Sequence, residues 1–230
     1  VALPSTKTTG LNNMAHSFVG VAPGVSTMTF PSGRVVRIDD YCDTELWGTF
    51  DFNGQLNVID PFSVGRSQYV PGSNPVRSAT NADTNLPRPG YSGLPQDHDF
   101  IMYGWRAAVV APREVIVSDA AQAWFATTSV QFKYNMKLRA EWPLSELLRT
   151  LPPDAKYQAP GAPSDMDPDA PKTGQLFVLP IEVRQQLGFE ALVTPQCVAA
   201  VSALRITTAH VGCRMSVRIF LRGLYKTTVY

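Results

Sequence analysis

Odd positions from Cys213 to Leu221 are all apolar (Cys213, Met215, Val217, Ile219, Leu221), while the even positions are Arg214, Ser216, Arg218, Phe220 and Arg222. That period of two predicts a strand with one face in a core and the other in water. At about 3.3 Å per residue the ten residues reach roughly 33 Å, about twice the usual strand and enough for a whole edge of a sandwich. Beyond Gly223 the run 224–230 stays rich in β-branched and aromatic residues. A second stretch has the same character. Val130, Phe132, Tyr134, Met136, Leu138 and Ala140 alternate with Gln131, Lys133, Asn135, Lys137, Arg139 and Glu141, which predicts one strand over 130–141.

Shorter elements fill the rest. Residues 25–30 and 34–38 read as two strands about the turn Pro31-Ser32-Gly33, and 45–52 and 55–59 as a second hairpin across Asn53-Gly54. Residues 99–110 form a mostly apolar strand in which Gly104 marks a bulge or a sheet corner. Ser118 is placed to cap a short helix over 119–125, although 124–128 fits a strand equally well. Pro143 opens a helix over 144–151 that Pro152 and Pro153 end. Strands are predicted over 176–179, 189–194 and 204–211 and a helical turn over 181–187, with 198–204 ambiguous.

Two long connections show no clean periodicity: 60–97, with six prolines, and 154–174, with Pro160, Pro163, Pro168 and Pro171. Segments so poor in apolar side chains are expected to order only when something outside the chain holds them. The predicted organisation is an N-terminal arm over 1–24 and a single domain over 25–230. That domain is an all-β antiparallel sandwich of eight to ten strands, with short helices in its long loops.

Composition agrees with that architecture. Only 17% of the 230 residues are charged, against 19 prolines and 16 glycines, which favours strands and turns and also suits a surface covered by partners. A formal charge of +1 gives no global pull toward nucleic acid or anionic lipid. The distribution is uneven. Residues 191–230 hold five cations (Arg205, Arg214, Arg218, Arg222, Lys226) and no acid, whereas 154–190 hold six acids against three cations. Opposite poles of this kind suit self-association, one subunit's basic face against a neighbour's acidic loop. Cys42, Cys197 and Cys213 lack the spacing of a zinc site or a disulfide framework, and Cys213 reads as a small buried hydrophobe. No run approaches the ~18 apolar residues of a membrane span, and the start has no charged-then-apolar signal region. Val1 reads as the residue left after an initiator Met, which places synthesis in a reducing, intracellular compartment.

Candidate chemistry is sparse. Asp97, His98 and Asp99 set carboxylates beside an imidazole, but neighbours in extended chain point to opposite sides, so the trio reads as a solvated loop. With no G-x-S-x-G elbow, and with His16, His98 and His210 far apart in sequence, no catalytic residue is assigned. Asp165, Asp167 and Asp169 alternate like the start of a calcium loop, yet Ala170 stands where glycine is required and Leu176 where the twelfth-position carboxylate belongs. No metal or cofactor is expected there, and an acidic loop that docks on a basic neighbour fits better. Arg214, Arg218 and Arg222 recur every four residues, roughly 13 Å apart on one strand face. They fit a solvated face, a phosphate stripe or a subunit contact. The near-neutral domain and a lone interleaved aromatic, Phe220, weigh against phosphate, so these arginines and the three aspartates are the candidate subunit-interface residues. Trp47, Trp105, Trp124 and Trp142 are candidates for a sugar-stacking platform, although three lie in or beside apolar runs that suit a core.

Short strands of even spacing, two long Pro-rich loops, the final stretch MSVRIFLRGLYKTTVY and no active-site signature together resemble the jelly-roll coat proteins of icosahedral viruses, tailless phages in particular. The likeness is architectural, covers the chain from about residue 25 onward, and transfers no residue. It implies eight strands in two packed sheets, with loops extended between subunits. It further implies a non-enzymatic virion protein, made in the host cytoplasm, whose partners are copies of itself and other virion proteins. One departure matters: simple RNA-virus coats often carry a basic N-terminal arm, whereas the first 33 residues here hold a single cation, Lys7, so genome packaging by the arm is not expected. The expected function is a structural subunit that works by assembly. A carbohydrate-binding sandwich, lectin-like or on a phage fibre, is the alternative. A β-fold hydrolase or cupin-like enzyme, needing two histidines in one pocket, is the third.

Overall fold

A computed structural model describes residues 27–29, 35–37, 41–65, 68–96, 98–148 and 175–226. The strands are β1 (Thr27–Thr29), β2 (Val35–Arg37), β3 (Cys42–Asp51), β4 (Asp99–Val110), β5 (Thr128–Tyr134), β6 (Lys137–Pro143), β7 (Gln175–Val183), β8 (Phe189–Pro195) and β9 (Ser216–Lys226). The helices are α1 (Arg113–Ile116), α2 (Asp119–Thr127), α3 (Leu144–Leu147) and α4 (Val198–Val211). One sheet has the order β3-β9-β4-β7 and a second the order β6-β5-β8, and every ladder in both is antiparallel. β1 and β2 pair antiparallel, with Met28 opposite Val36, as expected of these two strands, and the expected turn at 31–33 lies outside the described residues. The mostly β, two-sheet architecture is the one the sequence predicts.

A single apolar core joins the sheets. Phe50 of β3, Val217, Ile219 and Leu221 of β9, and Trp105 of β4 meet Val130 and Phe132 of β5 and Ala191 and Val193 of β8. The rings of Trp105 and Phe132 lie 6.2 Å apart edge to face, a geometry that adds to plain area burial. Helices α2 and α4 close one end, burying Trp124, Phe125, Val201 and Leu204. Ser118 does cap α2, its Oγ accepting the Ala121 N–H at 3.2 Å, so the helix reading of this stretch holds and the strand reading does not.

Two bulges explain where the alternation misleads. On β4 the register with β9 shifts between Met102 and Gly104, so Phe100 and Met102 face the core before the shift and Trp105, Ala107 and Val109 after it. One inserted residue exchanges the two faces of a strand, which turns a half-buried strand into an apparently continuous apolar run. The predicted single strand over 130–141 is two. Asn135 (φ 49°) and Met136 (φ 61°) make a tight turn between β5 and β6, the left-handed pair that a two-residue hairpin requires. The β5–β6 register then slips between Phe132 and Lys133, leaving Arg139 as the extra residue and bringing Ala140 and Trp142 opposite Phe132 and Val130. The slip restores the parity that the turn broke, so the sequence alternates as though no turn were there.

Other expectations also change. β9 begins at Ser216 rather than Cys213 and lies between β3 and β4, so this amphipathic run is a central strand and not a sandwich edge. Residues 198–211, predicted as ambiguous chain followed by a strand, form the helix α4. Ala200, Val201 and Leu204 supply its buried stripe, Thr207 and Thr208 return their hydroxyls to the carbonyls of Ala203 and Leu204, and Gly212 ends it at φ 64°. The alternation of Leu204, Ile206 and Thr208 imitates a strand only by chance. The predicted helical turn at 181–187 gives way to β7, which runs through Pro180 opposite the β4 bulge, where a missing N–H costs no ladder bond. Asn53-Gly54 makes a turn but no hairpin: the chain crosses to the other sheet, where Ile59 pairs with Val193 of β8. The predicted helix over 144–151 is described as α3 followed by Leu148, and its remainder, the loop 154–174 and the arm 1–24 lie outside the described residues.

The connection 60–97 overturns the idea that its order must come from outside. Phe62, Val70, Ala79, Leu86 and Leu94 are buried within this chain. The connection also occupies two sheet edges. Along β3, Asn85 accepts the Trp47 N–H at 2.8 Å and donates to the Glu45 carbonyl at 2.7 Å, Thr84 bridges Gly48, and Pro71 accepts the Asp51 N–H at 2.8 Å. Along β8, Ile59 just before the connection exchanges both backbone bonds with Val193, at 3.0 and 2.8 Å, and Asp60 accepts the Ala191 N–H. Gly48 permits the approach, since a Cβ there would stand 2.2 Å from the Pro61 carbonyl oxygen. Asp60 begins the crossing. Its Oδ1 accepts the N–H groups of Phe62 (2.9 Å) and Ala191 (3.2 Å), while burial, with a smaller push from Glu190, raises its pKa to about 6.

Candidate functional site

The arginine stripe lies on the outer face of the four-stranded sheet. Ladder register sets Glu45 beside Arg222, Trp47 beside Phe220, Thr49 beside Arg218 and Asp51 beside Ser216. Acids and hydroxyls from β3 thus fall directly against the cations of β9, the opposite-charge pairing that stabilises a sheet face. The Arg222 Nε is 3.4 Å from Glu45 Oε1, and Arg106 of β4 binds the same carboxylate through two nitrogens at 2.9 and 2.6 Å. The Arg106 guanidinium also sits 3.7 Å above the centre of the Phe220 ring. Arg218 donates to the Thr49 hydroxyl at 3.2 Å, and burial, reinforced by Arg106 and Arg77, lowers its pKa.

Asp51 is the hub at the other end of the face. Its side chain is 1% exposed, accepts two bonds from Arg77 at 2.9 and 3.0 Å and the Ser216 hydroxyl at 2.6 Å, and has the Arg214 Nε at 3.5 Å. Arg77 comes from the 60–97 connection and reaches Asp83 at 2.8 Å as well. Burial acts to raise the Asp83 pKa but is outweighed by the Thr80 N–H and hydroxyl and by Arg77, so the carboxyl stays below its ordinary value. Tyr103, the residue that the β4 bulge adds, donates to Asp43 at 2.6 Å, and burial together with that carboxylate raises its pKa.

All three candidate arginines therefore share one face, each with a partner inside its own chain, and Arg214 remains 41% exposed at the side chain. Asp165, Asp167 and Asp169 lie outside the described residues. Asp43, Glu45 and Asp51, which complete the face, were visible as the odd positions of the strand at 45–52 and its approach. The basic count of residues 191–230 hid them, because the acids come from a strand about 170 residues earlier.

The remaining candidates are dispersed. His98 Nδ1 lies 2.6 Å from the Tyr225 hydroxyl, Asp99 pairs in register with Lys226, and Asp97 lies outside the described residues. Among the described residues no three His, Cys, Asp or Glu side chains come together as a metal site. Cys42 is exposed, and Cys197 and Cys213 are half-buried against the core. Of the four tryptophans, Trp105 and Trp124 are core, Trp47 is half-buried beside Phe220, and Trp142 is exposed on β6.

Strand β6 was not singled out as a site by the sequence, yet it is the most open element of the second sheet. It forms one border of that sheet, six of its seven residues are exposed, and it presents Leu138 and Trp142 to solvent next to a fully exposed Met136. The border is also bulged at Arg139 and carries Lys137, Glu141 and Pro143, features that hinder the addition of another strand. Near the end of β6 a shallow recess of about 220 Å³ is lined by Thr127, Ser129, Glu141, Trp142, Pro143 and Gln196. The Glu141 Oε1 there accepts from Ser129 (2.7 Å) and Gln131 (3.1 Å), and these bonds lower the carboxyl pKa. No protein-family model, curated protein or solved structure matches this chain.

Proposed function

We propose that this protein is a structural subunit of a virus or phage particle, built as a jelly roll and working by assembly with copies of itself. The observation that carries the reading is the strand order. Let β3, the segment at Ile59, β4, β5, β6, β7, β8 and β9 be eight successive strands. The first sheet then runs one, eight, three, six and the second two, seven, four, five, because Ile59 pairs with the free side of β8. Nested Greek keys of eight strands produce this interleaving.

Jelly rolls also serve lectins and cupins, so fold alone does not choose the function. Exposed Met136 and Leu138 on the β5–β6 hairpin add apolar surface of a kind that suits contact with another chain. The 60–97 connection lends no support, being held within its own chain. The test is the mass of the purified protein by native mass spectrometry and light scattering across about a hundredfold range of concentration, with electron microscopy of the largest species. Closed, symmetric assemblies are expected. A protein that stays at 25.2 kDa throughout would overturn the proposal.

A further inference from the structure

We propose that Arg218 receives a carboxylate side chain from a second copy of this chain, on the outer face of the four-stranded sheet. The inference deepens the assembly reading and rests on it, naming a contact through which copies join.

Five arginines share that face, and four of them reach a carboxylate within the chain. Arg77 lies 2.9 Å from Asp51 and 2.8 Å from Asp83, Arg106 lies 2.6 Å from Glu45, Arg214 stands 3.5 Å from Asp51, and Arg222 stands 3.4 Å from Glu45. Arg218 differs. Its Nε donates to the neutral Thr49 hydroxyl at 3.2 Å, its guanidinium lies 5.8 Å from the centre of the Phe220 ring, and among the described residues no carboxylate is within ion-pair distance of it. Burial strips part of its water and Arg106 and Arg77 press against its charge, which Asp83 favours only from farther off. A partly desolvated cation without a counter-charge burdens the lone subunit, and an arriving anion relieves it.

The sheet leaves room for that anion. Ladder register sets Arg218 between Thr49 of β3 and Ala108 of β4. The outer face of β4 reads Arg106, Ala108, Val110, so a methyl stands beside the guanidinium where longer side chains flank it, and Val110 is 56% exposed. The ladder between β4 and β7 stops at Trp105, and among the described residues no strand borders Ala108 and Val110 on the side away from β9. With Nε committed to Thr49, the two terminal nitrogens present the planar edge that binds a carboxylate through parallel bonds.

Charge selects the occupant. The five arginines face four acids, Asp43, Glu45, Asp51 and Asp83, a surplus of one cation that one acidic side chain balances. A nucleic-acid strand or another polyanion would bring its further charges against those same acids. The chain itself holds the complement, since residues 154–190 carry six acids against three cations.

The test uses the full chain. Arg218→Met is expected to weaken association about tenfold or more, whereas Arg113→Met, which removes an equally charged but exposed side chain on α1, leaves it unchanged. Arg218→Lys keeps the charge and supplies an amine that a carbodiimide couples to a carboxylate in contact with it. In a mixture of unlabelled and isotope-labelled copies, the coupled peptides are expected to join the two labels, and their masses name the acid. If Arg218→Met associates as wild type does, or the amine of Arg218→Lys couples only within its own chain or not at all while the protein still assembles, the contact is wrong and the shell-forming reading survives. A wild-type protein that never associates removes both.

Discussion

At Asp60 the fold holds a carboxyl that keeps its proton to an unusually high pH. Burial outweighs the two backbone N–H bonds on Oδ1, so the pKa rises from 3.8 to about 6. A carboxyl whose pKa is higher in the folded than in the unfolded chain favours folding when protonated. Its contribution is fully present below pH 3.8 and is lost as pH rises through about 6. Asp60→Asn keeps the oxygen acceptor and removes the ionisation. Urea unfolding at pH 7.5 is expected to show the variant more stable than wild type, by at most about 3 kcal/mol, with the difference vanishing near pH 4. Nothing in the stretch around residue 60 announced this, because burial of that carboxyl depends on β8, about 130 residues away. The arginines were legible as a stripe, but their partners were not, since the ladder between β3 and β9 joins strands about 170 residues apart in the chain.

Among elements, the β5–β6 hairpin has the clearest tension between local and larger structure. Two non-glycine residues adopt left-handed backbone at its turn, at a cost of about 1 kcal/mol or more for a residue such as Met136. Met136→Gly should therefore raise the stability of the fold by about 1 kcal/mol, which differential scanning calorimetry at low protein concentration would show as a higher unfolding temperature. Periodicity in the sequence located β3, β4, β5, β8 and β9 and the helix capped by Ser118. It failed at the two bulges, where one inserted residue exchanges the faces of a strand, and in α4, where Leu204, Ile206 and Thr208 mimic a strand while Ala200, Val201 and Leu204 do the packing. Periodicity reports which side of an element is apolar. It does not report a turn whose parity change is cancelled two residues later.

For the molecule as a whole, the 60–97 connection shows how few apolar residues suffice to order a long excursion. Phe62, Leu86 and Leu94 enter the same core as the sheets, and Val70 and Ala79 are buried beside it. In hydrogen exchange on highly diluted protein, the amides of Ile59, Asp51 and Gly90 are expected to be protected to a degree comparable with β9. Each donates to a backbone carbonyl of its own chain, at 3.0, 2.8 and 2.7 Å respectively. Exchange at unfolded-chain rates would instead show that neighbours hold this segment. Composition suggested dependence on neighbours because it counts apolar residues without regard to place. Five of them spaced along the excursion pin it at intervals short enough to hold everything between.

That same segment changes what the sandwich margins can offer. It lies along β3, Ile59 just before it pairs with β8, and β7 is interrupted by Pro180 and by the irregular register opposite the β4 bulge. Margins that are occupied or broken in this way are poor templates for a further strand, so fibre growth through the backbone is hindered.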